Sequence, residues 1–268
     1  MELVDTHCHL DFDAFDSDRA AVVARAQEAG VDAVLNPSTD IANAAKVVAL
    51  AHETACVYAA VGVHPNSSVE WGAHSADELR ALAQQPKVVA IGEIGLDYYW
   101  DEAPHDVQQK VLQAQLELAA EMELPVILHN REASEDLLAI LLEWQAGLRA
   151  SGSPLARKPG VLHSFSGDQA MAEKAAAAGY FLGFTGPLTF KNAPELQAIA
   201  AQAPLEQILV ETDSPFLSPH PLRGQRNEPA RVKLVAEKLA ELKGLPYEEV
   251  AAATSANAQR LFGIGGQQ

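Results

Sequence analysis

With 268 residues, 48% of them hydrophobic and 6% aromatic, the chain is long enough to bury a large core and falls in the range of one barrel or two ordinary domains. A formal net charge of -17 argues against broad binding along a polyphosphate, because such affinity comes from many Lys and Arg contacts. The opening Met1-Glu2-Leu3-Val4-Asp5 has neither a basic n-region nor an apolar h-region, and no apolar run approaches the ~18 residues of a membrane span, so a cytoplasmic location without membrane contact is expected.

The first predicted element is an apolar strand, Leu3-Val4-Asp5, that runs into Thr6-His7-Cys8-His9. Alternation along a strand puts His7 and His9 on one face and Cys8 on the other. Further β-rich segments follow at Ala33-Val34-Leu35, Val57 to Val63, Val88 to Ile94, Val126-Ile127-Leu128, Val161-Leu162, Tyr180 to Phe184 and Ile208-Leu209-Val210. Helical patterns lie between them. Gly30 and Gly179 read as helix stops, Ser75-Ala76-Asp77-Glu78 has capping-box spacing, and Pro104 opens a helix with Val107, Val111, Ala114, Leu118 and Met122 on one face. Late helices are predicted from about Glu228 to Lys243 and from about Tyr247 to Phe262.

Strand and helix alternating eight times without a low-complexity linker is the arithmetic of an α/β protein with a (β/α)8 TIM barrel, a single domain over residues 1-268. A doubly wound open sheet is the runner-up, weakened by the lack of a GxGxxG or GxxxxGK[ST] loop after any strand. Cys8 and Cys56 fall in different predicted strands and are expected to be reduced packing residues.

Barrel active sites lie at the C-terminal ends of the strands. Here those ends carry His7 and His9, His64, Glu93, His129, His163 and Asp213, so five of the nine histidines sit at strand ends. His52, His74, His105 and His220 fall in helices or loops and are expected to be solvated or capping. Four imidazoles and two carboxylates on one face of a barrel would repel and desolvate one another without a compensating cation. Six ligands exceed one tetrahedral ion and suit two divalent ions bridged by Glu93, one taking His7, His9, Asp213 and Glu93, the other Glu93, His129 and His163. His64 stands outside these sets and is assigned to substrate phosphate or to leaving-group protonation, with a turn role before Pro65 as the alternative.

These segments resemble the TatD family of metal-dependent hydrolases and deoxyribonucleases in the amidohydrolase superfamily. The resemblance runs through Asp5 to Leu10, Gly62-Val63-His64-Pro65, Gly92 to Asp97, His129-Asn130-Arg131, His163 to Gly167, Glu211 to Pro215 and Arg223 to Pro229, nearly the whole chain. The family's metal pattern falls on His7, His9, Glu93, His129, His163 and Asp213. The resemblance implies a barrel, dependence on a divalent metal and 3'-to-5' exonuclease action on DNA. Ser255-Ala256-Asn257-Ala258 departs slightly from the family's usual Thr-Asn-Ala segment.

The expected function is therefore phosphodiester hydrolysis at single-stranded 3' ends, with Mg2+ or Mn2+, or Zn2+, and no obligate protein partner. Asp213 is the candidate base. Two ions add four positive charges to an acidic protein, and Arg131, Lys191, Arg223 and Arg226 lie in loops predicted on the metal face. Of these, Arg131, Arg223 and Arg226 are the candidate phosphate contacts. Tyr98, Tyr99 and Trp100 either stack on terminal bases or pack over the barrel mouth. An amidohydrolase or esterase acting on a small acyl or cyclic amide would use the same ligands but leave the basic loops without a role. A metal-binding scaffold without chemistry would be favoured by loss of Asp213 or Glu93, and both are present.

Overall fold

Nearly continuous apolar strands buried on both faces, each followed by an amphipathic helix, generate one parallel sheet of eight strands in sequence order. The computed structural model describes residues 3–264, so the ends of the expected 1-268 domain, residues 1–2 and 265–268, lie outside the described residues. The strands are β1 (Leu3–Asp5), β2 (Val31–Pro37), β3 (Val57–Val61), β4 (Val88–Asp97), β5 (Val126–Arg131), β6 (Gly160–Leu162), β7 (Phe181–Phe184) and β8 (Ile208–Val210). The helices between them are α1 (Arg19–Glu28), α2 (Ile41–Glu53), α3 (Ser75–Ala83), α4 (His105–Met122), α5 (Ser134–Ala150), α6 (Gln169–Ala177) and α7 (Pro194–Gln202), with α8 (Val232–Lys243) and α9 (Tyr247–Phe262) after β8.

The first and last strands meet through the segments that follow them. Thr6 N–H donates to Val210 O at 3.3 Å, Asp213 N–H to His7 O at 2.8 Å and His9 N–H to Ser214 O at 2.8 Å, with Cys8 bridged to Ser214. The sheet thus curls into a (β/α)8 barrel, and the seam where it closes carries three of the candidate ligands.

Two apolar layers hold it. One lies between strands and helices; the other fills the barrel with Val4, Leu35, Ala60, Ala90, Ile127, Val161, Phe181 and Leu209. The second layer continues into Ala258, Leu261, Phe262 and Ile264, so α9 and the residues after it cover one end of the barrel. Asn257 Nδ2 donates to Leu205 O and Ile208 O at 2.8 and 2.7 Å, which fixes α9 at the start of β8, away from the strand ends that carry the histidines.

Several sequence expectations shift in detail. β4 runs on through Asp97 and β5 through Arg131, whereas β3 stops at Val61. The expected capping box does not form: Ser75 Oγ accepts from Gly72 N–H at 2.9 Å, and His74 precedes the helix without a side-chain cap. His7 and His9 do share a face, but not by unbroken alternation from β1. Leu3 and Cys8 both belong to the outer layer while Val4 points inward, so the pleat changes parity between them, where Asp5 Oδ1 accepts from His7 N–H at 3.4 Å. Cys8 and Cys56 are free and buried, as expected.

Leu35 is fully buried in the barrel interior. Leu35→Ala should cost about 2–5 kcal/mol, the range for large-to-small core changes, and lower the urea midpoint of the metal-free protein without changing the slope of the transition. A midpoint within experimental scatter of the wild type would mean that the interior layer contributes little to holding the barrel.

Candidate metal centre

The strand ends bring the predicted ligands together. His7 Nε2 and His9 Nε2 are 3.2 Å apart. Glu93 Oε2 lies 3.3 Å from His7 Nε2 and 3.8 Å from His9 Nε2, and Asp213 Oδ1 lies 3.7 and 3.6 Å from the same two atoms. The other Glu93 oxygen, Oε1, lies 3.0 Å from His129 Nδ1 and 3.9 Å from His64 Nε2. Glu93 therefore turns one oxygen to the imidazoles that follow β1 and the other to His64 after β3 and His129 in β5.

Three overlapping groups have all their donor atoms within 4.8 Å of one another: His7, His9, Asp213; His7, Glu93, His163; and His64, Glu93, His129. Of the expected first set, His7, His9 and Asp213 form one group while Glu93 falls in the other two, and the second set differs as well. His163 stacks on His7 with ring centroids 3.3 Å apart and groups with it, while His64, expected outside the ligand sets, shares a group with Glu93 and His129.

Two carboxylates without an assigned role orient these rings. Asp97 Oδ2 accepts from His129 Nε2 at 2.9 Å, which leaves Nδ1 facing Glu93. Glu211 Oε2 accepts from His163 Nδ1 at 2.8 Å and from Ser164 N–H at 3.0 Å, which leaves His163 Nε2 3.7 Å from Asp213 Oδ1. Carboxylates behind ligand histidines commonly set tautomer and ring direction. Their positions at the ends of β4 and just past β8 were visible in the sequence; their partners were not. A Cβ at Gly183 would run into the Glu211 carboxylate, so only glycine leaves room for it. Gly95 has φ +147, and a Cβ there would collide with His129 O, which binds the residue type to the placement of β5.

Burial opposes charge throughout, yet the cluster draws protons. Against that burial, hydrogen bonds donated to Asp97 and Glu93 push His129 up to about 9, and the Glu211 carboxylate does the same for His163. Glu93 and Asp213 are held below the usual carboxylate range despite burial, Glu93 chiefly by His7 and His129, Asp213 by His9 and His163. His64, by contrast, is pushed down to about 3 by burial and by the neighbouring His129. Asp213 has φ 55, in the left-handed region, and its N–H donates to His7 O, so the barrel seam holds its carboxylate over the cluster.

This donor set fits divalent metal. The Nδ1 atoms of His7 and His9 are buried and unpartnered among the described residues, and their Nε2 atoms converge on two carboxylates. Four imidazole nitrogens with two carboxylates suit Zn2+ or Mn2+ as well as Mg2+. One cation satisfies several of these donors at once, which a single shared proton does not.

The cluster opens into a cavity of about 830 Å³ whose wall includes Phe12, His64, Asn66, Trp100, Arg131 and Phe216. Of the basic loop residues, Arg131 alone lines it among the described residues, exposed and without an ion pair. Arg226 does not reach it. Its guanidinium donates to both Asp18 oxygens at 2.8 Å and to Ala14 O at 2.6 Å, which ties the loop after β8 to the start of α1. Arg223 lies over the Phe190 ring at 4.0 Å, and Lys191 is likewise outside the cavity wall. Arg223 and Arg226 therefore do not stand beside Arg131 on the cavity wall, for a tertiary reason: residues near one another in one loop leave it in different directions, toward different partners. Tyr98 packs, as one of its two expected roles had it, stacking on His105 at 3.7 Å and donating to Asp136.

A family model described as TatD related DNase matches residues 4–263. The chain is 41% identical to an uncharacterized metal-dependent hydrolase, YabD of Bacillus subtilis, over 98% of this chain and 99% of that one. It is 38% identical to a 3'-5' ssDNA/RNA exonuclease, TatD of Erwinia amylovora, over 98% and 100% of the two chains. The crystal structure of YjjV, a TatD homolog from Escherichia coli, superimposes with a TM-score of 0.90 at 36% identity, covering 98% of each chain.

Because Glu93 faces both imidazole sets, Glu93→Ala should remove more metal than loss of one terminal ligand. Titration with Mn2+ should give a stoichiometry at least one ion per chain lower than the wild type, with the far-ultraviolet circular dichroism preserved. Undiminished binding in that variant would rule out a bridging position.

Proposed function

The chain belongs to the TatD related DNase family of metal-dependent hydrolases, and from that membership we propose that it hydrolyses phosphodiester bonds at the 3' end of single-stranded DNA, with two divalent ions held by His7, His9, Glu93, His129, His163 and Asp213. The observation that carries this reading is the position of Arg131, an unpaired guanidinium on the wall of the cavity into which the donor cluster opens. A neutral amide or lactone offers it nothing to bind; a phosphodiester offers anionic oxygens in a geometry a guanidinium matches. A relative bearing the name 3'-5' ssDNA/RNA exonuclease, similar over nearly all of both chains, supports the same choice.

When bound, divalent ions lower the pKa of a coordinated water and neutralise charge on the phosphoryl group. The protein's own part is positional. Asp213, held by the barrel seam, takes the proton of the attacking water at its carboxylate. His64 Nδ1 accepts from Asn66 N–H at 3.2 Å, so its remaining proton sits on Nε2, the atom nearest Glu93. That arrangement suits a hydrogen bond from neutral His64 to a phosphate oxygen better than donation of a proton to the leaving group. Asp97 and Glu211 keep His129 and His163 turned inward.

The net charge of -17 agrees with action at an end. Of the Lys and Arg side chains only Arg131 lines the cavity among the described residues, and bound ions would add to its charge, so the reacting phosphate is gripped while the acidic exterior repels the rest of a long duplex. No helix among the described residues is long and apolar enough to cross a membrane. In this reading the protein works in the cytoplasm, as one domain and without an obligate protein partner.

The test is to strip the metal, restore Mg2+, Mn2+ or Zn2+ separately, and offer 5'-labelled single-stranded and duplex oligonucleotides beside small amides, lactones and esters. A ladder shortening from the 3' end, faster on the single strand, is expected. Turnover of an amide or lactone with oligonucleotides intact under every metal would replace the nuclease reading with the amidohydrolase one. Asp213→Asn should lose roughly 10²–10⁴-fold in kcat, as removal of a positioned base does. Activity within a few-fold of wild type would move the base elsewhere. Arg131→Ala should raise KM for oligonucleotide and flatten its salt dependence, whereas Arg226→Ala should leave both unchanged; equal responses in the two variants would remove Arg131 from the phosphate site.

A further inference from the structure

The large apolar side chains left exposed among the described residues are Val69, Tyr99, Trp100, Phe216 and Leu217. All five follow barrel strands at the end where the donor cluster lies: Val69 after β3, Tyr99 and Trp100 after β4, Phe216 and Leu217 after β8. Scattered single apolar residues on a surface need no explanation, but a set gathered around one opening does. Strands β4 and β8 stand four places apart in a ring of eight, so Trp100 and Phe216, 48% and 52% exposed, rise on opposite sides of the mouth.

Each side is built rather than loose. On the β4 side, Asp97 Oδ1 accepts from the N–H groups of Tyr99 and Trp100 at 3.0 and 3.1 Å, while its other oxygen holds His129. The Arg131 guanidinium lies 3.9 Å from the Tyr99 ring centroid and 5.4 Å from that of Trp100. On the β8 side, His9 stacks on Phe12 at 4.6 Å, and Phe12 meets Phe216 edge to face at 6.0 Å, so an aromatic path leads from a candidate ligand ring to the rim.

We propose that Trp100 and Phe216 are stacking platforms for the unpaired bases on either side of the scissile phosphodiester, a proposal that rests on the phosphodiesterase reading above. The order across the mouth is aromatic face, guanidinium and donor cluster, aromatic face. A single strand repeats the same order in its own chemistry, base, phosphate, base. Stacking on an aromatic face tolerates any base but requires that the base be free of its neighbours, so the rim selects single strands over duplex without reading sequence. The platform on the β4 side is positioned by the carboxylate that orients His129, which couples the seating of the base to the geometry of the metal centre.

The experiment compares two 5'-labelled single strands of equal length, one natural and one with abasic tetrahydrofuran units at its two 3'-terminal positions. The metal-loaded full-length protein is used, and kcat/KM is measured for the first cleavage. Wild type should favour the base-bearing end by about ten-fold or more, since each base stacked on an aromatic ring contributes a factor of that order. Trp100→Ala and Phe216→Ala should each bring the ratio toward one, while Trp100→Phe should retain most of it. Both side chains are about half exposed, and circular dichroism with metal content checks that the variants are folded and loaded. Equal efficiency of wild type on the two strands, or a ratio that persists in both alanine variants, would overturn the platforms while leaving the phosphodiesterase intact. If neither strand is degraded under any metal, the phosphodiesterase reading falls and the platforms fall with it.

Discussion

Everything at the open end of the barrel depends on the Glu93 carboxylate, which is buried and turns its two oxygens to different imidazoles at the floor of the cavity. Burying a carboxylate among four histidines is costly unless charge is balanced at short range. Here the balance is made by strand ends from around the ring, so the barrel has to close before the cluster exists. The backbone bonds between His7, Asp213, His9 and Ser214 that join the first and last strand segments are the same bonds that seat three donors. Stability of the scaffold and geometry of the site are therefore one problem in this protein.

Around that carboxylate the structure arranges charge in shells. Imidazoles stand nearest, and Asp97 and Glu211 stand behind two of them, each fixing which ring nitrogen turns inward. Asp5 lies deeper still, fully buried and pushed up to about 8 by that burial, with both oxygens occupied by Thr212. Asp97 and Glu211 thus stand where they steer rings, whereas Asp5, with its carboxyl raised to about 8, is held largely protonated by its burial. Under the phosphodiesterase reading proposed above, a strongly acidic surface is no obstacle, since attraction is needed only at the one bond being cut.

The convergence of the candidate ligands was legible because each is a residue type with few structural reasons to end a strand, and because strand ends of a barrel share one face whatever the details of packing. His7, His9, Glu93, His129, His163 and Asp213 all converge as that rule requires. The same rule carries no information about direction within the face. It did not show that the His64 ring lies 3.9 Å from Glu93 and within one cluster with His129, and it gave Asp97 and Glu211 no role because a carboxylate behind a histidine looks like any other strand-end acid until the ring is seen. Arg226 failed for the opposite reason: it sits in the right loop but points at Asp18, a partner 208 residues away in the chain.

What the sequence by itself determined is the architecture and the inventory of the site: eight apolar segments in alternation with helices, and chemistry concentrated where those segments stop. Periodicity and residue type are local properties, and a closed parallel barrel converts local positions into a common face without further choice. What only the tertiary structure decided is pairing. Which imidazoles Glu93 faces, which arginine lines the cavity, where the pleat of the first strand changes parity, and which aromatic side chains stand exposed across the mouth all depend on distances between residues far apart in the chain. Such distances are set by how the sheet curls and how each loop packs, and neither is written in any one segment.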